Sequence, residues 1–183
     1  MNRRDALKAA TVLVGGALVA SSGVLAACTP SRDARQTSGV LNAGDQDLIE
    51  EIADTLLPMT AASPGAKAAG AGPAINLLLT DCYDAKAQQR VVQGLKDFRA
   101  TCRERNGDNF ASLSRHDREQ LLREIDADAR KAGDAHYFGL VRELASSAYF
   151  SSQVGVTQAL RYVPVPGRWE GCVPLTRGQP AWS

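Results

Sequence analysis

From Asn42 onward the apolar residues recur at helical spacing. Leu48, Ile49, Ile52, Ala53, Leu56 and Leu57 follow one another at i, i+1, i+4, i+5, i+8 and i+9, which draws a single stripe along a helix until Pro58 stops it. Met59 to Gly72 contains TAASPGAKAAGAG, too rich in small residues to pack strongly by itself, and is expected to form a long irregular loop. Loops of that length are commonly functional or flexible. Pro73 suits the first position of a second helix running through Ile75, Leu77, Leu78 and Leu79 toward Tyr83. A third helix, roughly 86–105, sets Val91, Leu95, Phe98 and Cys102 in a narrow seam, and Asn106-Gly107 closes it. Ser114 with Asp117 reads as a capping box opening a fourth helix, whose inner face is Leu121, Leu122, Ile125 and Ala129 and whose end is Gly133. Asp134 is placed to cap a fifth, with Phe138, Val141, Leu144, Ala145 and Ala148 inward and Arg142 and Glu143 toward water. The expectation is an all-α fold, a small bundle of about five helices over 42–183.

Beyond Tyr149 the periodicity fails. Pro164, Pro166, Pro174, Pro180 and several glycines forbid a continuing regular helix. Yet half of the chain's aromatic residues (Tyr149, Phe150, Tyr162, Trp169 and Trp182) fall here, beside Val163, Val165, Val173 and Leu175. A segment with so much apolar surface and so little local structure must lie against something, either its own bundle or a second protein. It is therefore read as an irregular docking tail from about residue 150.

The amino terminus follows another pattern. MNRRDALK precedes an uncharged run from Ala9 to Ala27 whose Gly, Ala and Ser content makes a poor spanning helix, the three-part layout of an export signal over residues 1–27. Arg3 and Arg4, with Leu7 and Lys8 behind them, fit R-R-x-x-L-K, the twin-arginine signal that carries folded cargo. Leu25-Ala26-Ala27-Cys28 resembles a lipobox, which makes Cys28 a candidate for lipidation; ordinary cleavage after Ala26 or Ala27 is the alternative. Residues 28–41 then serve as a polar tether. Either way the mature domain is expected outside the cytoplasm, in the periplasm or anchored to the envelope membrane.

Composition narrows the function classes. The chain has 183 residues with 44% hydrophobic and 22% charged side chains, and a net charge of +1 without like-charge blocks, so neither disorder nor nucleic-acid binding is indicated. Residues 28–183 can bury on the order of 70% of their unfolded surface without a metal or a disulfide framework. Outside the cytoplasm Cys82, Cys102 and Cys172 could pair, but Cys82 and Cys102 fall about 25 Å apart along neighbouring helices, too far for a bridge. Cys172 stays open to either, to another chain, or to burial as a small apolar side chain. His116 and His136 have no metal-ligand spacing around them, and no C-x-x-C-H, G-x-G-x-x-G, G-x-S-x-G or P-loop is present.

Four elements together have a familiar look: IADTLLP from Ile52, SPGAKAAGAG from Ser63, YFSS from Tyr149, and ALRYVPVPGRWEGCVPL from Ala159. They resemble the gluconate 2-dehydrogenase subunit 3 family over roughly 41–175. The resemblance implies a small, non-catalytic subunit with no cofactor of its own. Its partners would be a large GMC-type flavoprotein dehydrogenase carrying FAD, in some assemblies a cytochrome c subunit carrying haem c, and the twin-arginine translocon, through which the small subunit lends its signal to a signal-less large one. Such a family passes on no catalytic residues. The partner-binding candidates on the matched elements are Pro64, Gly65, Tyr149, Phe150, Arg161, Tyr162, Pro166, Gly167, Trp169 and Cys172. A free-standing helical lipoprotein or enzyme is the competing reading, with Asp81, Asp84, Arg99, Glu104 and His116 available but in no catalytic spacing.

Overall fold

The computed structural model describes residues 39–165, 167 and 171–182. The expected signal with Arg3 and Arg4, Cys28, and the tail residues Pro166 and Trp169 lie outside the described residues. Five α-helices are present among those described: α1 (Ala43–Leu56), α2 (Ala71–Cys82), α3 (Ala85–Asn106), α4 (Arg115–Ala132) and α5 (Tyr137–Phe150). The all-α bundle is borne out, and no strand occurs among the described residues.

Side chains punctuate the helices where the sequence puts polar residues. Asn42, Asp84 and Ser114 cap α1, α3 and α4 by accepting the N–H of Asp45 (2.9 Å), Ala87 (2.8 Å) and Asp117 (3.2 Å). Each satisfies one of the donors a helix start leaves open. Gly107, at φ +69°, closes α3 through its N–H to the Arg103 carbonyl (2.9 Å), a left-handed turn that a side chain would strain. Two expectations shift. α2 starts at Ala71, so Pro73 occupies its third position rather than its first; a first-turn N–H has no intrahelical acceptor, and proline is tolerated there for the same reason. Asp134 lies in a 3₁₀ turn, Gly133–Ala135, and the cap of α5 is His136, whose Nδ1 accepts the Phe138 N–H (3.1 Å).

The core forms around α5, which packs against each of the other four helices. Phe138, Val141, Leu144, Ala145, Ala148 and Tyr149 are buried along it. The α3 seam of Val91, Leu95, Phe98 and Cys102 is wholly buried, as are Ile49, Ile52 and Ala53 of α1 and Ile75 and Leu79 of α2. Leu77 instead faces solvent at 57% exposure, because it sits off the stripe that Ile75 and Leu79 share. Phe98 meets Phe110 edge-on at 5.1 Å, and the Arg118 guanidinium lies over the Phe110 ring while also reaching Glu51 (3.1 Å). Cys82, Cys102 and Cys172 are free thiols, Cys102 buried and the other two exposed; burial pushes the Cys102 thiol pKa up.

A buried polar cluster fixes the start of the domain. Asn76 Oδ1 accepts the Leu41 N–H (3.0 Å), and its Nδ2 donates to Gln46 Oε1 (3.1 Å). Asp45, 1% exposed, holds Arg99 of α3 and accepts from Asn42 Nδ2 (2.6 Å). Leu41, the last residue of the expected tether, is buried against the bundle. Buried polar groups survive in a core only when their hydrogen bonds are met, and here each serves to clamp α1, α2 and α3 together.

Candidate docking surface

One end of the bundle gathers four of the residues singled out in the sequence, Pro64, Gly65, Tyr149 and Phe150. The loop between α1 and α2 is irregular, as its composition suggests, but it is pinned. Ala66 is fully buried and donates to the Leu57 carbonyl (2.9 Å), and Lys67 N–H reaches Asp54 Oδ1 (2.9 Å). Tyr149 then secures it from the far side: its ring is buried at the end of α5, and its hydroxyl donates to the Pro64 carbonyl (2.8 Å), 3.1 Å from Ser63 Oγ. Gly65 is buried, and only glycine fits there, since a Cβ would stand 2.5 Å from Asp54 Oδ1 and 2.8 Å from the Met59 nitrogen. Pro64, Gly65 and Tyr149 thus act together, within the chain, to hold SPGAKAAG against α5. The Lys67 ammonium pairs with Glu51, and that hydrogen bond raises its pKa, keeping it charged.

Tyr149→Phe tests this pin. Without the hydroxyl the Pro64 carbonyl loses its partner, which is expected to cost about 1–2 kcal/mol in urea unfolding. Amide exchange at Ala66 should quicken ahead of the core amides if the loop loosens first.

Past α5 the chain turns back in a π-helical segment, Gly155–Ala159, where the sequence predicts no further regular turn. Gly155 permits this: a Cβ would lie 2.0 Å from the Tyr149 carbonyl oxygen and 3.0 Å from Phe150 Cα. Ser152 bridges the fold-back, donating to Tyr149 O (2.6 Å) and accepting the Gly155 N–H (3.0 Å). Phe150 stacks edge-on against Tyr149 (5.0 Å) but stays 39% exposed.

The tail itself is solvent-facing. Tyr162, Val163, Val165, Val173, Leu175 and Trp182 are all exposed, Val165 and Leu175 above 80%. Gly167 adopts φ +72°, and Cys172 is exposed. Arg161 N–H donates to the Ala181 carbonyl (2.7 Å), and its guanidinium lies 4.1 Å from the centre of the Trp182 ring. The sequence placed both arms of this contact in the tail but offered no sign that they meet. With Met59, 75% exposed beside Gly65, and Phe150, the surface presents large apolar side chains that nothing in the bundle covers. Exposed large apolar side chains, where they adjoin, mark interaction sites in soluble proteins.

Elsewhere the surface carries paired charge. A cavity of about 540 Å³ between α3, α4 and α5 is lined by Arg90, Arg130, Arg142, Asp134 and Glu143. Arg130 and Arg142 share Asp126, and Arg90 donates to the Asp134 carbonyl (2.6 Å), with its Nε left as a buried donor without a partner. Among the described residues no group of three or more His, Cys, Asp or Glu is placed to hold a metal ion, and no helix is long and apolar enough to cross a membrane. His116 sits in the first turn of α4 and His136 at the start of α5.

Comparison with known proteins agrees with the resemblance. No curated protein and no solved structure matches the chain. A model of the family described as gluconate 2-dehydrogenase subunit 3 matches residues 43–167, which takes in all five helices, the pinned loop and the first part of the tail but stops short of residue 175. The match covers well over half of the sequence, and the chain belongs to the gluconate 2-dehydrogenase subunit 3 family.

Proposed function

We propose that this chain is the non-catalytic small subunit of an extracytoplasmic FAD-dependent sugar or polyol dehydrogenase. In this reading it supports assembly, lends its twin-arginine signal to the large flavoprotein, and anchors the pair if Cys28 is acylated. The observation that carries the reading is the exposed apolar tail beside a fully packed bundle, in a family named for a dehydrogenase subunit. Burying Tyr162, Val165 and Leu175 on a second chain would remove apolar surface from water at roughly 25 cal/mol per Å², and aromatic anchors tend to dominate such interfaces.

The signal supports the same picture. The twin-arginine route serves cargo that folds and takes up its cofactor before crossing, and this sequence carries no cofactor motif. The passenger is then a different polypeptide, a GMC-type flavoprotein holding FAD, with a cytochrome c subunit as electron acceptor in assemblies that have one.

Co-expression tests both halves. The full chain together with a signal-less large flavoprotein should purify as a stoichiometric complex with flavin on the large chain, and Arg3→Lys with Arg4→Lys should abolish sugar-oxidising activity in the envelope while leaving it in the cytoplasm. A lone chain that binds flavin and oxidises a sugar would sink the proposal in favour of a free-standing enzyme.

A further inference from the structure

The cavity between α3, α4 and α5 is walled by positive charge that the protein leaves partly unmatched. Arg130 of α4 and Arg142 of α5 share one carboxylate: Asp126 Oδ2 accepts from Arg130 Nε (2.8 Å), and Asp126 Oδ1 accepts from Arg142 Nη1. Asp126 thus draws two guanidiniums together while carrying charge enough for one. Arg90 of α3 forms no ion pair among the described residues. Its Nη1 donates to a neutral acceptor, the Asp134 carbonyl (2.6 Å), and its Nε is buried with no acceptor at all. An unpaired buried donor is costlier on a charged group than on a neutral one. Asp134 and Glu143 also line the cavity, but neither carboxylate pairs with any of the three arginines.

The rest of the wall adds donors. His136 accepts the Phe138 N–H at Nδ1, which leaves Nε2 as the donor of its ring. Gly139, in the first turn of α5, lines the cavity with nothing within 4 Å of where a Cβ would stand, so the backbone is open there. First-turn N–H groups lack an intrahelical acceptor and form the positive end of the helix dipole. Arg130 also suits the last turn of α4, where a cation complements the dipole. That account reaches neither Arg90 nor Arg142, which lie in the interiors of α3 and α5.

We propose that this cavity binds a small molecule through an oxyanion, a phosphate or carboxylate group, held by Arg90, Arg130 and Arg142. Guanidinium groups match two-oxygen acceptors with parallel hydrogen bonds, and three of them from three helices can grip one such group from several sides. About 540 Å³ leaves room for more than the charged group itself, within the range of small-molecule pockets. The bound anion would supply the charge that Asp126 cannot, and by joining three helices it would favour the folded chain. The site is separate from the docking reading and does not depend on it.

Calorimetric titration of the full chain at fixed ionic strength tests this with inorganic phosphate and, separately, with succinate. At least one should bind with a Kd of about 1 mM or tighter, and the tighter of the two names the group. Arg142→Gln, whose parent side chain is 45% exposed, should weaken that binding by about tenfold or more, and Arg90→Gln by as much. Arg123→Gln removes an equal charge from α4, one that pairs with Glu119 away from the cavity, and should leave binding unchanged. Urea unfolding without anion reports whether each variant is folded; should Arg90→Gln fail to fold, Arg142→Gln decides alone. Failure of both anions to bind the parent chain overturns the proposal, and so does binding that Arg142→Gln leaves intact. An equal loss in Arg123→Gln and Arg142→Gln overturns it as well, because the anion would then be answering to net charge and not to a site.

Discussion

Gly94→Val is expected to destabilise the bundle by roughly 3 kcal/mol, seen as a lower urea midpoint with an unchanged slope. Gly94 lies mid-way along α3, and the Tyr137 ring of α5 rests directly on it: a Cβ would stand 2.0 Å from Tyr137 Cγ and 2.3 Å from Cδ1. The ring has little freedom to retreat, since it stacks on His136 (4.8 Å) and meets Phe138 edge-on (6.2 Å). Its burial also pushes the phenol pKa up, so the neutral form is the one that fits. Glycine inside a helix ordinarily costs about 1 kcal/mol relative to alanine, so the helix gives up propensity at this point in exchange for close approach to α5. Gly139→Ala is the control. It lies in the first turn of α5 with nothing within 4 Å of an added Cβ, and alanine there should be neutral or stabilising by up to about 1 kcal/mol. Adding Tyr137→Ala to Gly94→Val should recover part of the loss, because it removes the group the new side chain strikes.

The same glycine shows where reading the sequence stops. The helical stripes were legible because burial on a helix repeats every three or four residues: the seam of Val91, Leu95, Phe98 and Cys102 and the inward face of Phe138 to Ala148 lie where their spacing puts them. Caps were legible where a capping pair announced them, as with Ser114 and Asp117. They were not when a 3₁₀ turn intervened, which is why His136 rather than Asp134 caps α5. Gly94, in the middle of the third helical pattern, drew no reading from the sequence, because its partner, 43 positions later, carries no local mark. The polar cluster of Asp45, Gln46, Asn76 and Arg99 was equally silent, since polar residues on a helix read as solvent-facing until a second helix covers them. At the docking end the apolar content of the tail pointed to a surface. The sequence could not show that Tyr149 ties the loop of Pro64 and Gly65 to the bundle, or that the tail's two arms join, because both are long-range pairings without a repeating pattern.

Deleting residues 161–183 is expected to weaken association with the proposed large flavoprotein chain by about a hundredfold or more, while the thermal midpoint of the bundle hardly moves. Burial separates the bundle from the tail. The core residues lie between Leu41 and Tyr149, whereas Tyr162, Val165, Val173, Leu175 and Trp182 are each at least 45% exposed. Removing side chains that are already in water costs the fold little, but removing the anchors of an interface costs most of its energy, and a hundredfold corresponds to about 2.7 kcal/mol. The cut after Leu160 leaves the π-helical turn and its Gly155 contact on Tyr149 in place, so the end of α5 stays covered. A milder variant, Val165→Ser with Leu175→Ser, should lower affinity by roughly tenfold with no change in unfolding, since both side chains are more than 80% exposed in the free chain. Unaltered binding of the shortened chain, measured by titration against the purified large chain, would move the interface to the pinned loop and the exposed Met59 and Phe150. A fall in the midpoint that parallels the fall in affinity would instead make the tail a brace for the bundle.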